Sequence, residues 1–244
     1  MRAILTYHSL DDSGSAISMP PAVFRQHVSW MVASGVRVLP LADMLVLDRD
    51  DPAPAVSITF DDGFMNFTDA AAQLMAARLP VTLFVVTGHI GGSNAWGGRA
   101  ESGIPTLPLL GWGELERLVA QGVSIGAHTR SHARLPTLPP AAVEDELDGC
   151  LQDLRTRLGV RVEHFAYPYG AADEDVAAIT GARFQAAVTT RFAPLSRHDA
   201  PMWIPRFDMY YFRQPGTLES WGTPRFRRRL WSVQLRRQLR EVLT

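Results

Sequence analysis

Ser57-Ile58-Thr59-Phe60-Asp61-Asp62-Gly63 closes an apolar run, Val56 to Phe60, with two adjacent carboxylates and a glycine. A short continuous apolar run of this kind reads as a strand buried on both faces, the sort found in parallel sheets. Gly63 permits the tight turn by which the chain leaves the sheet. Neighbouring side chains at a strand end point different ways, so Asp61 and Asp62 can serve different partners. A local alternative exists, in which the acidic loop caps a helix starting at Asn66.

Outward from this segment, apolar β-rich runs alternate with helical patterns. Strands are expected at Ala3–Tyr7, Arg37–Leu39, Ala55–Phe60, Val81–Val86, Ser124–Ala127, His164–Tyr167, Ala186–Thr189 and Trp203–Phe207. Helices are expected at Pro21–Ser34, Asn66–Ala77, Trp112–Gln121, Pro140–Leu158 and Asp173–Thr180. Pro21 and Pro140 suit first-turn positions, and Gly35 and Gly159 suit C-terminal caps. The alternation indicates an α/β fold with a mainly parallel sheet and function at the strand C-termini, and a (β/α) barrel is the economical closure. The Gly- and Pro-rich stretch His89 to Leu110 reads as a long loop over one face.

With 244 residues, 46% hydrophobic and 20% charged, the chain can bury a large core. A net charge of −1 gives no global pull toward nucleic acid. All 24 basic residues are arginine. The single cysteine, Cys150, lies in an amphipathic stretch and reads as a buried structural thiol. No apolar run approaches the ~18 residues of a membrane span. The opening Met1-Arg2-Ala3-Ile4-Leu5-Thr6-Tyr7-His8 lacks a signal-peptide pattern, so a cytoplasmic location is expected, extending to the inner face of the membrane.

A second segment, His128-Thr129-Arg130-Ser131-His132, follows the apolar run Val123 to Ala127. Histidines at i and i+4 are neighbours on a helical turn and can chelate one ion, although paired surface histidines are common. Both segments fall at expected strand ends on the same face of the sheet. A carboxylate, two imidazoles and a spare carboxylate are the parts of a metal-assisted hydrolase. Thr129 and Ser131 are placed to orient the imidazoles by hydrogen bonds.

Thr59-Phe60-Asp61-Asp62-Gly63, His128-Thr129-Arg130-Ser131-His132 and Phe165-Ala166-Tyr167-Pro168-Tyr169-Gly170 resemble successive motifs of the polysaccharide deacetylases, the NodB-homology domain of carbohydrate esterase family 4. Thr82 to Gly88 and Gly111 to Leu115 resemble the intervening strand and helix start, and the resemblance runs from about Ala3 to Tyr210. It implies a distorted (β/α) barrel of seven or eight strands and removal of N- or O-acetyl groups from a sugar. By motif position, Asp62, His128 and His132 would ligate one divalent metal, Zn²⁺ first, with Co²⁺, Ni²⁺, Mn²⁺ or Fe²⁺ also suited to such donors. Asp61 would be the general base. Pro168 and Tyr169 would lie on the substrate side, with a backbone N–H near Tyr169 for the oxyanion.

Three departures stand out. Ala166 occupies the place of an arginine that positions the base, the usual aspartates beside a tryptophan are missing, and no late Leu-x-His supplies the acid. Tyr7-His8-Ser9 resembles the N-terminal Tyr-His of members with permuted motif order, so His8 is expected to protonate the leaving amine. His198 is the second candidate. Arg206, in Trp203-Ile204-Pro205-Arg206-Phe207, is expected to pair with Asp61, against the plain reading of a surface or salt-bridged arginine. Tyr169 and Trp203, beside the motifs, are expected to face sugar; Trp96, Trp112, Tyr210 and Tyr211 read as core, and His27, His89 and His164 as structural.

Residues 1–223 read as the catalytic domain and 224–244 as a basic amphipathic helix. In that helix Phe226, Leu230 and Val233 share one face and arginines much of the rest. One reading closes the barrel bottom with a solvated arginine face; the other is a membrane-surface or acidic-partner helix. The expected partner is an acetylated saccharide, such as a polysaccharide or a lipid-linked precursor in exopolysaccharide biosynthesis, and no nucleic acid. Two other functions fit the parts: hydrolysis of small N-acyl or cyclic amides, favoured by a deep closed pocket, and carbohydrate binding without catalysis.

Overall fold

The computed structural model describes residues 1–47 and 52–243. Its strands are β1 (Arg2–Tyr7), β2 (Ser9–Leu10), β3 (Ser18–Met19), β4 (Arg37–Val38), β5 (Ala55–Phe60), β6 (Val81–Val85), β7 (Ser124–Ala127), β8 (His164–Ala166), β9 (Ala186–Val188) and β10 (Phe207–Asp208). The helices are α1 (Pro21–Ala33), α2 (Leu41–Val46), α3 (Phe67–Ala76), α4 (Trp112–Ala120), α5 (Pro140–Leu158), α6 (Glu174–Gly181) and α7 (Pro224–Leu243). The main sheet runs β10-β1-β5-β6-β7-β8-β9 with β4 beside β5, and β2 pairs with β3 apart from it. Every pairing between these strands is parallel.

The sheet curls because the last segment touches both of its edges. Ile204 bridges to Val188 on β9, and Phe207 pairs with Leu5 on β1. The expected strand Trp203–Phe207 is therefore not continuous, and only Phe207–Asp208 is regular. Pro205 has no N–H for a ladder, and the Arg206 N–H turns away to the Arg191 carbonyl, 3.0 Å. The result is a distorted (β/α) barrel.

Alternate strand residues feed two layers, as a two-faced buried sheet requires. Ala3, Leu5, Tyr7, Val56, Ile58 and Phe60 join the large core, while Ile4, Phe84, Ala166, Val188 and Ile204 form a smaller one. Gly126 is needed where Phe84 crosses β7, since a Cβ there would lie 2.3 Å from the phenyl ring. Helix α3 begins at Phe67 without a side-chain cap, and Asn66 instead bonds Ser9 and Leu10. The Asp61–Asp62 pair is thus free of capping duty.

Helix α2 and the β2–β3 pair were not legible as elements, being too short for periodicity. The loop from His89 to Leu110 is pinned by the bridges Phe64↔Leu109 and Ser93↔Pro108 and by Asn94, which bonds Leu107 and Pro105. Phe226, Leu230 and Val233 of α7 are buried, with Phe226 against Trp221 and Phe212. Among the described residues no helix is long and apolar enough to cross a membrane.

Candidate metal centre and its flanking residues

The turn after β5 is built from two consecutive left-handed residues, Asp62 at φ +71° and Gly63 at φ +80°. The Asp61 N–H still bonds the Tyr7 carbonyl at 3.0 Å, so Asp61 ends the sheet while Asp62 is thrown sideways. Asp62, Thr129, His132 and Tyr169 are four of the five non-glycine residues with positive φ among those described. Such a conformation costs about 1–3 kcal/mol and persists only where surroundings impose it. All four lie in the segments singled out by motif.

Asp62, His128 and His132 offer ligand atoms that lie within 4.8 Å of one another, and all three side chains are buried. Asp62 Oδ1 is 3.3 Å from both the His128 and His132 Nε2 atoms. That oxygen is buried without a hydrogen bond of its own. His128 Nδ1 donates to the Ala166 carbonyl at 2.6 Å, which fixes the tautomer and leaves Nε2 as a lone-pair donor. Two imidazoles compete for one oxygen at a distance too long for good hydrogen bonding, and a cation among the three suits them all. The donor set fits a divalent metal.

The electrostatics agree. Burial alone would raise the Asp62 carboxyl, but the facing His128 and His132 outweigh it and hold it well below the usual range. Burial lowers both imidazoles. It prevails at His132, while at His128 the neighbouring Asp62 and Asp61 carboxylates reverse it.

Thr129 and Ser131, expected to orient the imidazoles, orient the backbone instead. Thr129 Oγ1 accepts the His132 N–H at 2.9 Å. The Glu146 carboxylate on α5 accepts the Arg130 and Ser131 N–H groups at 2.9 Å each, and the Ser131 hydroxyl at 2.6 Å. Arg130 lies across Gly149, where a Cβ would meet it at 2.2 Å, and reaches Asp153 at 3.3 Å. One face of α5 thus receives the whole histidine turn.

Asp61 points the other way, into the barrel. Arg206 grips both its oxygens at 2.7 Å, and the guanidinium also bonds Thr6, Thr59 and the Thr189 carbonyl. Arg206 is 1% exposed, so it is no surface arginine. Burial would raise the Asp61 carboxyl, but Arg206, helped by His128 and His8, holds it below the ordinary range.

His8 Nε2 stands 3.7 Å from Asp61 Oδ2. Asp208, which the motifs did not reveal, lines one small recess with His8, and desolvation raises its carboxyl. His198 is elsewhere: its segment is held by the Leu195 N–H to the carbonyl of Arg2, at the opposite end of β1 from His8.

The rim is aromatic. Trp96, read from sequence as core, stacks on His132 with centroids 4.4 Å apart, and Tyr169 meets the same imidazole edge-on at 4.7 Å. His89 in turn packs against Trp96 at 5.0 Å. Pro168 is buried beneath the turn, and Tyr169 is 41% exposed. Trp203 lies to one side, lining a groove with Gly170 and Thr190. Nothing in the sequence pattern separated Trp96 from the other tryptophans; only the bridged loop brings it here.

Comparison with known proteins places these observations. The sequence profile of the family described as polysaccharide deacetylase matches residues 48–184, which include Asp61, Asp62, His128, His132 and Tyr169 but neither His8 nor Arg206. YxkH of Bacillus subtilis, named provisionally as a polysaccharide deacetylase, is 27% identical over 80% of this chain and 66% of its own length. The chitooligosaccharide deacetylase of a Bradyrhizobium species is 29% identical over 55% of this chain and 54% of its own. The chain thus spans about two thirds or less of the length of these relatives. Among solved structures, IcaB from Ammonifex degensii superposes with a TM-score of 0.72 at 24% identity, covering 90% of this chain and 93% of that one. The profile covers more than half of the chain and the barrel agrees with it: the chain belongs to the polysaccharide deacetylase family.

Proposed function

We propose that the protein is a metal-dependent hydrolase that removes the acetyl group from an N-acetylhexosamine in a saccharide. The observation that carries this reading is Asp62 Oδ1, buried and unbonded between two imidazoles, with a second carboxylate held by an arginine beside it. Asp62, His128 and His132 would hold the ion, Zn²⁺ first. The chemistry a divalent ion supplies there is polarisation of the acetyl carbonyl and acidification of water.

Asp61 is the proposed general base. Arg206 keeps its carboxylate ionised at neutral pH and fixes its plane, so it is ready to accept a proton. His8, one residue past the end of the neighbouring strand β1, is the proposed acid for the leaving amine. The Tyr169 N–H is the proposed oxyanion donor, in a turn fixed by the Gly170 N–H to Tyr167 O bond of 2.8 Å.

A saccharide is favoured over a small cyclic amide by the rim, where Tyr169 is 41% exposed beside the half-buried Trp96 and offers an open ring rather than the wall of a closed pocket. The name of the Bradyrhizobium relative points the same way. A lipid-linked precursor bearing N-acetylhexosamine is the substrate of first choice. The test is acetate release from a panel of acetylated oligosaccharides and glycolipids, with chelator and with added metals. Metal-loaded protein that is inert on every sugar yet cleaves small N-acyl amides would overturn the reading.

A further inference from the structure

Helix α7 carries two apolar stripes. One, Phe226, Leu230 and Val233, is buried against the barrel. The other faces outward: Trp231 is 65% exposed and Leu235, one turn on, is 41% exposed. The sequence continues that spacing with Leu239 and Val242. Exposed arginines flank the outer stripe, Arg227 and Arg228 on the turn before Trp231 and Arg236 after it. A helix that only closed the barrel would need the first stripe alone.

Charge is sorted in the same way. Residues 224–244 hold seven arginines against Glu241 alone, net +6, so with a total of −1 the other 223 residues carry −7. A cationic helix rides on an acidic body. Its outer stripe also borders the groove, about 720 Å³, that runs past Trp203 and Thr190 to Gly170, the residue after Tyr169. The outer face of α7 and the metal-centre rim therefore open on adjoining surface.

An exposed tryptophan and leucine set among arginines is the pattern of an interfacial helix, with the rings in the headgroup layer and the guanidiniums on phosphates. Scattered single charges with apolar side chains between them suit a fluid anionic surface better than a folded acidic partner, which would need fixed polar contacts. We propose that the outward face of α7 binds the surface of a bilayer containing anionic phospholipid, through Trp231, Leu235 and the arginines beside them.

Flotation of the full chain with vesicles tests this, using phosphatidylcholine alone and an equal mixture of phosphatidylcholine and phosphatidylglycerol. The protein is expected to float with the mixed vesicles at low salt, and much less at high salt. Trp231→Ala with Leu235→Ala, and separately Arg227→Gln with Arg228→Gln, should each weaken partitioning by about tenfold or more, while thermal unfolding stays unchanged. Failure of the wild type to float with mixed vesicles at low salt would overturn the proposal. So would equal flotation by a folded Trp231/Leu235 variant, or self-association in solution that buries Trp231. Vesicle binding needs no substrate, so it stands or falls apart from the deacetylase reading.

Discussion

Arg206 and Asp61 stand 145 residues apart in the chain and meet in a two-pronged ion pair, 2.7 Å at each oxygen, inside the barrel. Ala166 stands where the motif resemblance would put such an arginine, and the last segment of the sheet supplies Arg206 instead. The pair is deeply buried, so removing one partner leaves a charge stranded. Such a change costs about 3–5 kcal/mol.

Arg206→Ala should therefore lower both stability and turnover. Without the guanidinium, burial is opposed only by the lesser effects of His128 and His8, so the Asp61 carboxyl rises and a smaller share of the base is ionised. The expected loss of kcat/KM is about 10²–10⁴-fold, with partial recovery as pH rises and the carboxyl ionises. Arg206→Lys restores charge but not the planar fork, and should fall between. The pH profile of kcat/KM checks this; wild-type turnover by Arg206→Ala at neutral pH would show that the pair has no catalytic part.

Chelation should abolish acetate release, and Zn²⁺ or Co²⁺ should restore it. His128→Ala and His132→Ala should each weaken metal binding measured by calorimetry, since three donors become two. His89→Ala, which only backs Trp96, should leave the affinity nearly unchanged. Equal affinity in all three variants would place the metal elsewhere.

Glu146→Ala should loosen the metal without touching a ligand, because the left-handed His132 turn loses the carboxylate that holds two of its amides. Loss of an orienting partner of this kind costs about 10–100-fold in metal affinity. Glu146→Gln keeps an acceptor oxygen and should recover part of it. The distinguishing readout is metal dissociation at an unchanged melting temperature of the metal-free protein. A merely structural glutamate would lower the melting temperature and leave the affinity alone.

How much of this was legible in the sequence varies residue by residue. The strands carrying Asp61 and His128 were clear, because burial on both faces leaves continuous apolar runs that end abruptly in polar motifs. The last strand was expected to run from Trp203 to Phe207, although the N–H that Pro205 lacks breaks it and is visible in one letter. Glu146 was hidden among Glu144, Asp145 and Asp148 on a charged helix face, and only the fold tells which one meets the turn. Trp96 sits in a loop with no periodicity, so its stacking on His132 depends on bridges formed far from it in sequence. Asp208 became visible only when β10 paired beside β1 and brought it near His8.

His8 and His198 are separated by the barrel's length, so substitution should separate their effects cleanly. His8→Ala should lower kcat by about 10²–10⁴-fold, with a smaller change in KM. His198→Ala should be silent. Asp208→Asn should mimic part of the His8 loss, and should alter the pH profile of kcat. Loss of turnover with His198→Ala but not with His8→Ala would reverse the assignment.

His27 supplies a prediction about stability alone. It is 4% exposed, and its ring joins α1 to β1 and to the C-terminal part of the fold, through Tyr7 Oη at 3.0 Å and the Phe212 carbonyl at 3.2 Å. Burial pushes the imidazole down to about 4, against weaker raising effects of the Phe212 carbonyl and Glu219. In the unfolded chain its pKa is ~6.5, so between those values the unfolded state binds the extra proton. Stability from neutral His27 is therefore complete above ~6.5 and falls as pH drops toward about 4, by about 3 kcal/mol. For a chain of this size that is roughly 5–10 °C of melting temperature. His27→Gln cannot titrate, and should start lower at neutral pH but lose less over the same interval. Both proteins are melted in chelator, so that release of metal from His128 and His132 does not enter the comparison. Equal slopes in the two proteins from pH 6.5 to 4 would assign the acid loss to the carboxylates instead.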